Sequence, residues 1–110
     1  MPTTFRQAIS NGVGQTPIDV LSIPNGVRST VIGFNLANTT EYDTVRADVF
    51  VVDETSTQSY YIKGLAIPPN SSAKIVTQGE KLILPQNTTV RVVADVDGSL
   101  DIIISHVEIS

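Results

Sequence analysis

Thirty-eight of the 110 residues are valine, isoleucine or threonine, and clusters of turn-forming residues cut them into short runs. Side chains branched at Cβ lose rotamer freedom in a helix and fit a pleated strand. "TPIDVLSI" stops at Pro24-Asn25-Gly26, "VRSTVIGFNLAN" at Thr39-Thr40-Glu41, and "TVRADVFVVD" at Asp53 to Ser56. "QSYYIKGLAI" stops at Pro68-Pro69-Asn70, "SAKIV" at Gln78-Gly79, "KLIL" at Pro85-Gln86-Asn87 and "TVRVVADV" at Asp97-Gly98. "SLDIIISHVEI" comes last. Eight strands spaced in this way predict one all-β domain over residues 1–110: an antiparallel β-sandwich, jelly-roll or immunoglobulin-like. Residues 1–10 read as an extended N-terminal arm or an edge strand. Phe5, Ala8 and Ile9 fall at helical spacing, but three positions do not make a helix.

Several runs alternate with the period of two that a half-buried strand requires. Ile32, Phe34 and Leu36 fall on one face of their run, and Val45, Ala47, Val49 and Val51 on one face of the next. Val90, Val92, Ala94 and Val96 share a face, with Arg91 and Asp95 opposite. The last run breaks the rule. Leu100, Ile102 and Ile104 lie in one phase, and Val107 and Ile109 in the other. Either a bulge at Ser105-His106 shifts the register, or the strand is covered on both sides.

"IPPNSSAKIV" and "LPQNTTVRVV" repeat one pattern: an apolar residue, proline, any residue, asparagine and two hydroxyls, then a cation and aliphatic residues. "IPNGVRSTVI" is a weaker third copy. Proline ends the incoming strand because it has no N–H for a ladder, and asparagine with the hydroxyls turns the chain. With two strands read between the first two copies, both corners are expected at one end of the sandwich.

Composition removes several function classes. No cysteine is present, so disulfides, thiolate metal sites and a cysteine nucleophile are excluded. The formal net charge is −4, and the seven cations form no stripe, which argues against a nucleic-acid partner. No apolar run approaches a membrane span. The N-terminus has no apolar stretch of a signal peptide, so a product of a cytoplasm is expected. The three N-x-[ST] sequons, at Asn38, Asn70 and Asn87, are then read as turns.

Few residues suggest chemistry. Asp95-Val96-Asp97-Gly98 has the start of a calcium loop, but the later ligands are missing and β runs press on both sides. Asp-Gly between apolar segments reads instead as a hairpin turn. His106, the single histidine, has no nucleophile or carboxylate at catalytic spacing and reads as a surface or interface residue. No cofactor is implied, and no enzymatic activity is expected. Tyr60-Tyr61 puts one ring on each face of its strand, so one is exposed. That ring either binds a sugar or protein, or pairs across strands. Apolar residues in both phases of the last strand, with so few charges, predict association. The candidate interface is Pro2, Thr3, Thr4, Phe5, Tyr60, Tyr61, Val107 and Ile109.

"IPNGVRSTVIGFNLANTT", "IPPNSSAKIVTQGEKLILPQNTTVRVVAD" and "GSLDIIISHVEIS" resemble small virion structural proteins of tailed bacteriophages, especially those of cyanobacteria and marine bacteria. The resemblance spans the chain from about Thr3 onward and transfers no catalytic residue. It implies an all-β protein present in many copies on a head, neck or tail and made in a host cytoplasm. A capsid decoration protein is the first expectation, and a neck or tail component, or a carbohydrate-binding module, the alternative. The partners implied are the major capsid protein or other virion proteins, and a homo-oligomer, with a trimer ahead of a dimer.

Overall fold

Among the described residues the turn clusters cut the chain where expected, and the strands between them sort into two sheets. The structure, a computed structural model, describes residues 3–76 and 81–109. Pro2, Gln78, Gly79 and Ser110, which enter the expectations above, lie outside the described residues. Among the described residues the strands are β1 (Thr3–Val13), β2 (Ile18–Ser22), β3 (Arg28–Asn38), β4 (Val45–Val52), β5 (Gln58–Ile67), β6 (Ser72–Val76), β7 (Leu82–Leu84), β8 (Thr89–Ala94) and β9 (Leu100–Ile109). One sheet has the order β1-β9-β3-β6, with β7 also on β3, and the other has β2-β8-β4-β5. β6 and β7 both run antiparallel to β3, β6 along Phe34 to Ala37 and β7 along Ser29 to Val31. They run in the same direction, end to end along β3, and share one strand position. Counted as one, the strand positions run 1-8-3-6 and 2-7-4-5, the order of a jelly-roll. The all-β sandwich is therefore as read, with the jelly-roll order chosen over the immunoglobulin-like one.

The three proline corners share one conformation. Ile23, Ile67 and Leu84 are buried at the corner entrances. Three residues later stand Gly26, Asn70 and Asn87, each with positive φ. Glycine and asparagine tolerate that region best. Each corner carries the chain from one sheet to the other. Their placement differs from expectation. The first and third meet at one end, where Ile23 N–H donates to Thr88 O at 2.9 Å and Asn87 N–H to Ile23 O at 2.8 Å. The second lies at the opposite end, where Asn70 N–H donates to Thr40 O at 3.0 Å. The reason is that β6 and β7 make a single strand length, and one strand separates two opposite ends. Asn38 locks that far end. Buried, it donates to the carbonyls of Asp43, Ile67 and Pro68, and its Oδ1 accepts from Thr40 N–H and Oγ1.

Asp97-Gly98 is a turn, but it does not close a hairpin. β8 pairs with β2 and β4, whereas β9 pairs with β1 and β3, so the segment arches between sheets. Gly98 has φ +62°, as an Asp-Gly turn requires. The two carboxylates are used by backbone: Asp95 Oδ1 accepts from Arg46 N–H at 2.8 Å and Asp97 Oδ1 from Gln15 N–H at 3.1 Å. Gly14 sits so close that a Cβ there would stand 2.6 Å from Asp97 Oδ1.

The core lies between the sheets. Val31, Phe34, Leu36, Ile102 and Ile104 from one sheet meet Val45, Ala47, Val49, Val90 and Val92 from the other. Ile32 does not join Phe34 and Leu36, because the β3–β9 register shifts between Val31 and Gly33. The bulge turns Ile32 outward. On β9 itself the alternation is unbroken, with Leu100, Ile102, Ile104 and His106 all inward. His106 is thus not a surface residue. It is 3% exposed, and its Nδ1 is 2.8 Å from Ser29 Oγ, which is buried too. Burial pushes its pKa below the ordinary histidine value, against the raising effect of Glu108. Arg6, which is ion-paired with Glu108, adds to the lowering.

Candidate functional site

The outer face of the β1-β9-β3-β7 sheet gathers most of the large exposed hydrophobics. Register places them in rows across the strands. Phe5 pairs with Val107, Val107 with Thr30, and Thr30 with Ile83, one residue from each strand. Another row runs Ile9, Ile103, Asn35 and Lys74. The row between holds Gln7, Ser105 and Gly33. Phe5 is 77% exposed, Ile9 and Ile83 are 68% exposed, and Ile32 and Ile103 are also open. At Gly33 the face dips into a shallow hollow of about 440 Å³, bordered by Ile32, Asn35, Lys74, Ile103 and Ser105. Asn35 Oδ1, beside it, is buried without a hydrogen-bond partner.

The outer face of the β2-β8-β4-β5 sheet is built differently. Its corresponding row is Asp19, Arg91, Phe50 and Tyr60. Arg91 Nε donates to Asp19 Oδ1 at 2.7 Å. The rings of Phe50 and Tyr60 lie 4.6 Å apart at 42°, and Lys63 Nζ sits 4.2 Å above the Tyr60 ring. Asp48 accepts from Gly64 N–H at 2.7 Å.

The expected interface residues therefore divide. Phe5 and Val107 are cross-strand partners on the apolar face, and Thr3 pairs with Ile109 at its margin. Thr4 pairs with Glu108. Residues 3–10 are no free arm: they form the edge strand β1 along β9. Tyr60 and Tyr61 belong to the other sheet. Tyr60 is the outward ring, paired across strands with Phe50, and Tyr61 packs against the core. Ile9, Ile32, Ile83 and Ile103 were missed. Ile83 sits in a three-residue strand too short to show a phase, and Ile32 needs a bulge that no residue type announces. Tyr42, on the loop after β3, is 88% exposed and also carried no signal.

Chemically the arrangement offers packing surface. Ser29 and His106 form a hydrogen-bonded hydroxyl–imidazole pair, and both are buried. Among the described residues no three histidine, aspartate or glutamate side chains stand together as a metal site. Nor, among the described residues, is any helix long and apolar enough to cross a membrane.

No family model matches the chain, and no curated protein matches it. Among solved structures, it is similar to a chain of the disulfide-linked pili that form Bacillus endospore appendages. The match has a TM-score of 0.59 at 10% identity and covers 98% of this chain and 88% of that one. A chain of infectious bursal disease virus, Gt strain, matches at 11% identity over 98% of this chain and 33% of that one. Its TM-score of 0.36 is too low to carry an argument. The pilus likeness shows the fold: a two-sheet antiparallel sandwich traced over nearly the whole of both chains.

Proposed function

We propose that this protein is a non-enzymatic structural component of a virion, a decoration protein that braces the shell of a tailed bacteriophage. Its partner is the major capsid protein or a neighbouring virion protein. The observation that carries the reading is the apolar outer face of the β1-β9-β3-β7 sheet. Such a surface is made to be covered. The jelly-roll supports it, being an architecture common in viral shells. The likeness to a subunit of an extracellular appendage fits a protein that assembles. Those pili are disulfide-linked, whereas this chain has no cysteine. No disulfide can link its subunits.

A neck or tail position uses the same surface chemistry and differs in number. The test is the amount of this protein on purified virions, read against the major capsid protein. A ratio fixed to the shell subunits is expected. A ratio matching one ring of the neck or tail would replace decoration by an adaptor role, and absence from the virion would end the reading. Sugar binding at Tyr60 is less favoured, because Phe50 and Lys63 already occupy its ring.

A further inference from the structure

We propose that the outer face of the β1-β9-β3-β7 sheet is covered by a second copy of this chain, packed face to face about a two-fold axis. The axis runs parallel to the strands, between β9 and β3. A sheet face is closed by one other face at a separation of about 10 Å, with side chains interdigitating. A pair, not the trimer expected from decoration proteins, is what closing one such face against another forms.

Three features of the face select the second copy. The first is self-complementarity. An axis between β9 and β3 exchanges β1 with β6/β7 and β9 with β3, given the strand order. In the row Phe5, Val107, Thr30, Ile83 it sets Phe5 over the partner's Ile83, and Val107 over the partner's Thr30. The two most open side chains of that row, 77% and 68% exposed, thereby cover each other twice in one contact. Two rows on, Ile9 meets the partner's Lys74 at the rim of the hollow that Gly33 leaves. The alkyl stem of a lysine accepts such a contact while its ammonium stays wet.

The second feature is charge. Each chain carries −4, yet among the described residues none of the three central rows holds a carboxylate. The described part of the face can close on a second copy without bringing acidic groups together. The third is area. Four strands about 4.8 Å apart and about ten residues long at about 3.3 Å each give a face of roughly 600 Å². A pair then buries about 1,200 Å² in all, the lower edge of stable specific interfaces. The dimer is therefore concentration-dependent.

Sedimentation equilibrium of the full chain over about 1 to 200 µM brackets an interface of this size. A rise from 11.8 kDa toward twice that mass is expected. Phe5→Lys and Ile83→Glu, both at exposed positions, each hold the protein at one chain mass with its melting transition kept. Mixed in equal amounts they return the dimer, because one contact becomes Lys–Glu and the other stays Phe–Ile. A wild type that remains one chain, or forms a trimer, overturns the proposal. So does a dimer insensitive to either variant, or a mixture that does not recombine. Monomers that associate only when purified capsids are added name the shell as occupant instead. The pair uses the face on which the virion reading rests, yet the two fail separately: a dimer in solution stands even if virions lack the protein, and a place on the virion stands even if the free chain is a monomer.

Discussion

Two rows of side chains cross this molecule, one on each outer face, and they follow opposite rules. On the β2-β8-β4-β5 sheet every member of the row has a neighbour to satisfy it: Asp19 with Arg91, Phe50 with Tyr60, and Lys63 above the Tyr60 ring. On the β1-β9-β3-β7 sheet the row Phe5, Val107, Thr30, Ile83 ends in two apolar side chains turned to solvent. Both sheets bury their inner faces alike, so the core does not distinguish them. The outer faces do. A cross-strand ladder of matched side chains covers its own apolar parts, whereas a row that ends in two exposed apolar side chains leaves apolar surface open to water.

The comparison is broken most severely by removing part of the apolar sheet. β9 lies between β1 and β3, not at an edge. Deleting Val107 to Ser110 takes away His106's neighbours and the pairing of Thr3 to Phe5 and of Arg28 to Thr30. Loss of the cooperative thermal transition is expected, checked by circular dichroism. A truncated chain that still melts cooperatively would make this segment a strap laid on a finished sheet. Next in size is Phe50→Ala on the polar face. Phe50 is nearly buried beneath Tyr60, so about 2 kcal/mol should be lost in urea unfolding, less than for a fully enclosed ring. A neutral result would mean that the ladder contributes nothing and the two faces differ only in composition.

Much of this was readable in the sequence, and what failed did so for definable reasons. The fold class follows from β-branched runs and turns. The proline corners show their positive-φ positions in residue type, as Gly26, Asn70 and Asn87. What residue type cannot show is which strands lie side by side. Asp97-Gly98 has the local chemistry of a hairpin, and only the pairing of β8 and β9 with other strands makes it an arch. The same gap hid that β6 and β7 share one strand position beside β3. His106 is inward because alternation continues through Ser105, a residue equally at home in a bulge. The site was half legible. Phe5 and Val107 were marked by hydrophobicity at the chain ends, but Ile83 and Ile32 join them only through register. The tyrosine pair lies on the other sheet, and an aromatic signal does not tell whether a cross-strand partner such as Phe50 waits for it.

A smaller effect separates the sheets by pH. His106 is buried on the inner face of the apolar sheet, and no histidine lies on the other. Its folded pKa is lowered, chiefly by burial, so the unfolded chain takes up the proton first. Stability from this group is complete above the unfolded value near 6.5 and is lost as pH falls from there through the folded value. The melting temperature should drop between neutral pH and pH of about 5, more steeply in the wild type than in His106→Gln. Equal slopes would place the acid sensitivity in the carboxylates instead.

The smallest expected effect is the one that sharpens the contrast most. Phe5 is 77% exposed on β1, so in a single chain its ring packs on little. Phe5→Ser, measured in dilute solution where association is negligible, should change unfolding free energy by no more than about 0.5 kcal/mol, the range of ordinary surface substitutions. At high concentration the same change should lower the melting temperature relative to wild type, because it weakens what the folded chain binds and not the folded chain itself. A phenylalanine that contributed in dilute solution as Phe50 does would be part of the monomer's own packing. The apolar row would then be a finished surface after all, and the difference between the two faces one of chemistry alone. A concentration-dependent penalty with no dilute one is the signature of a side chain that becomes structural only when another molecule meets it.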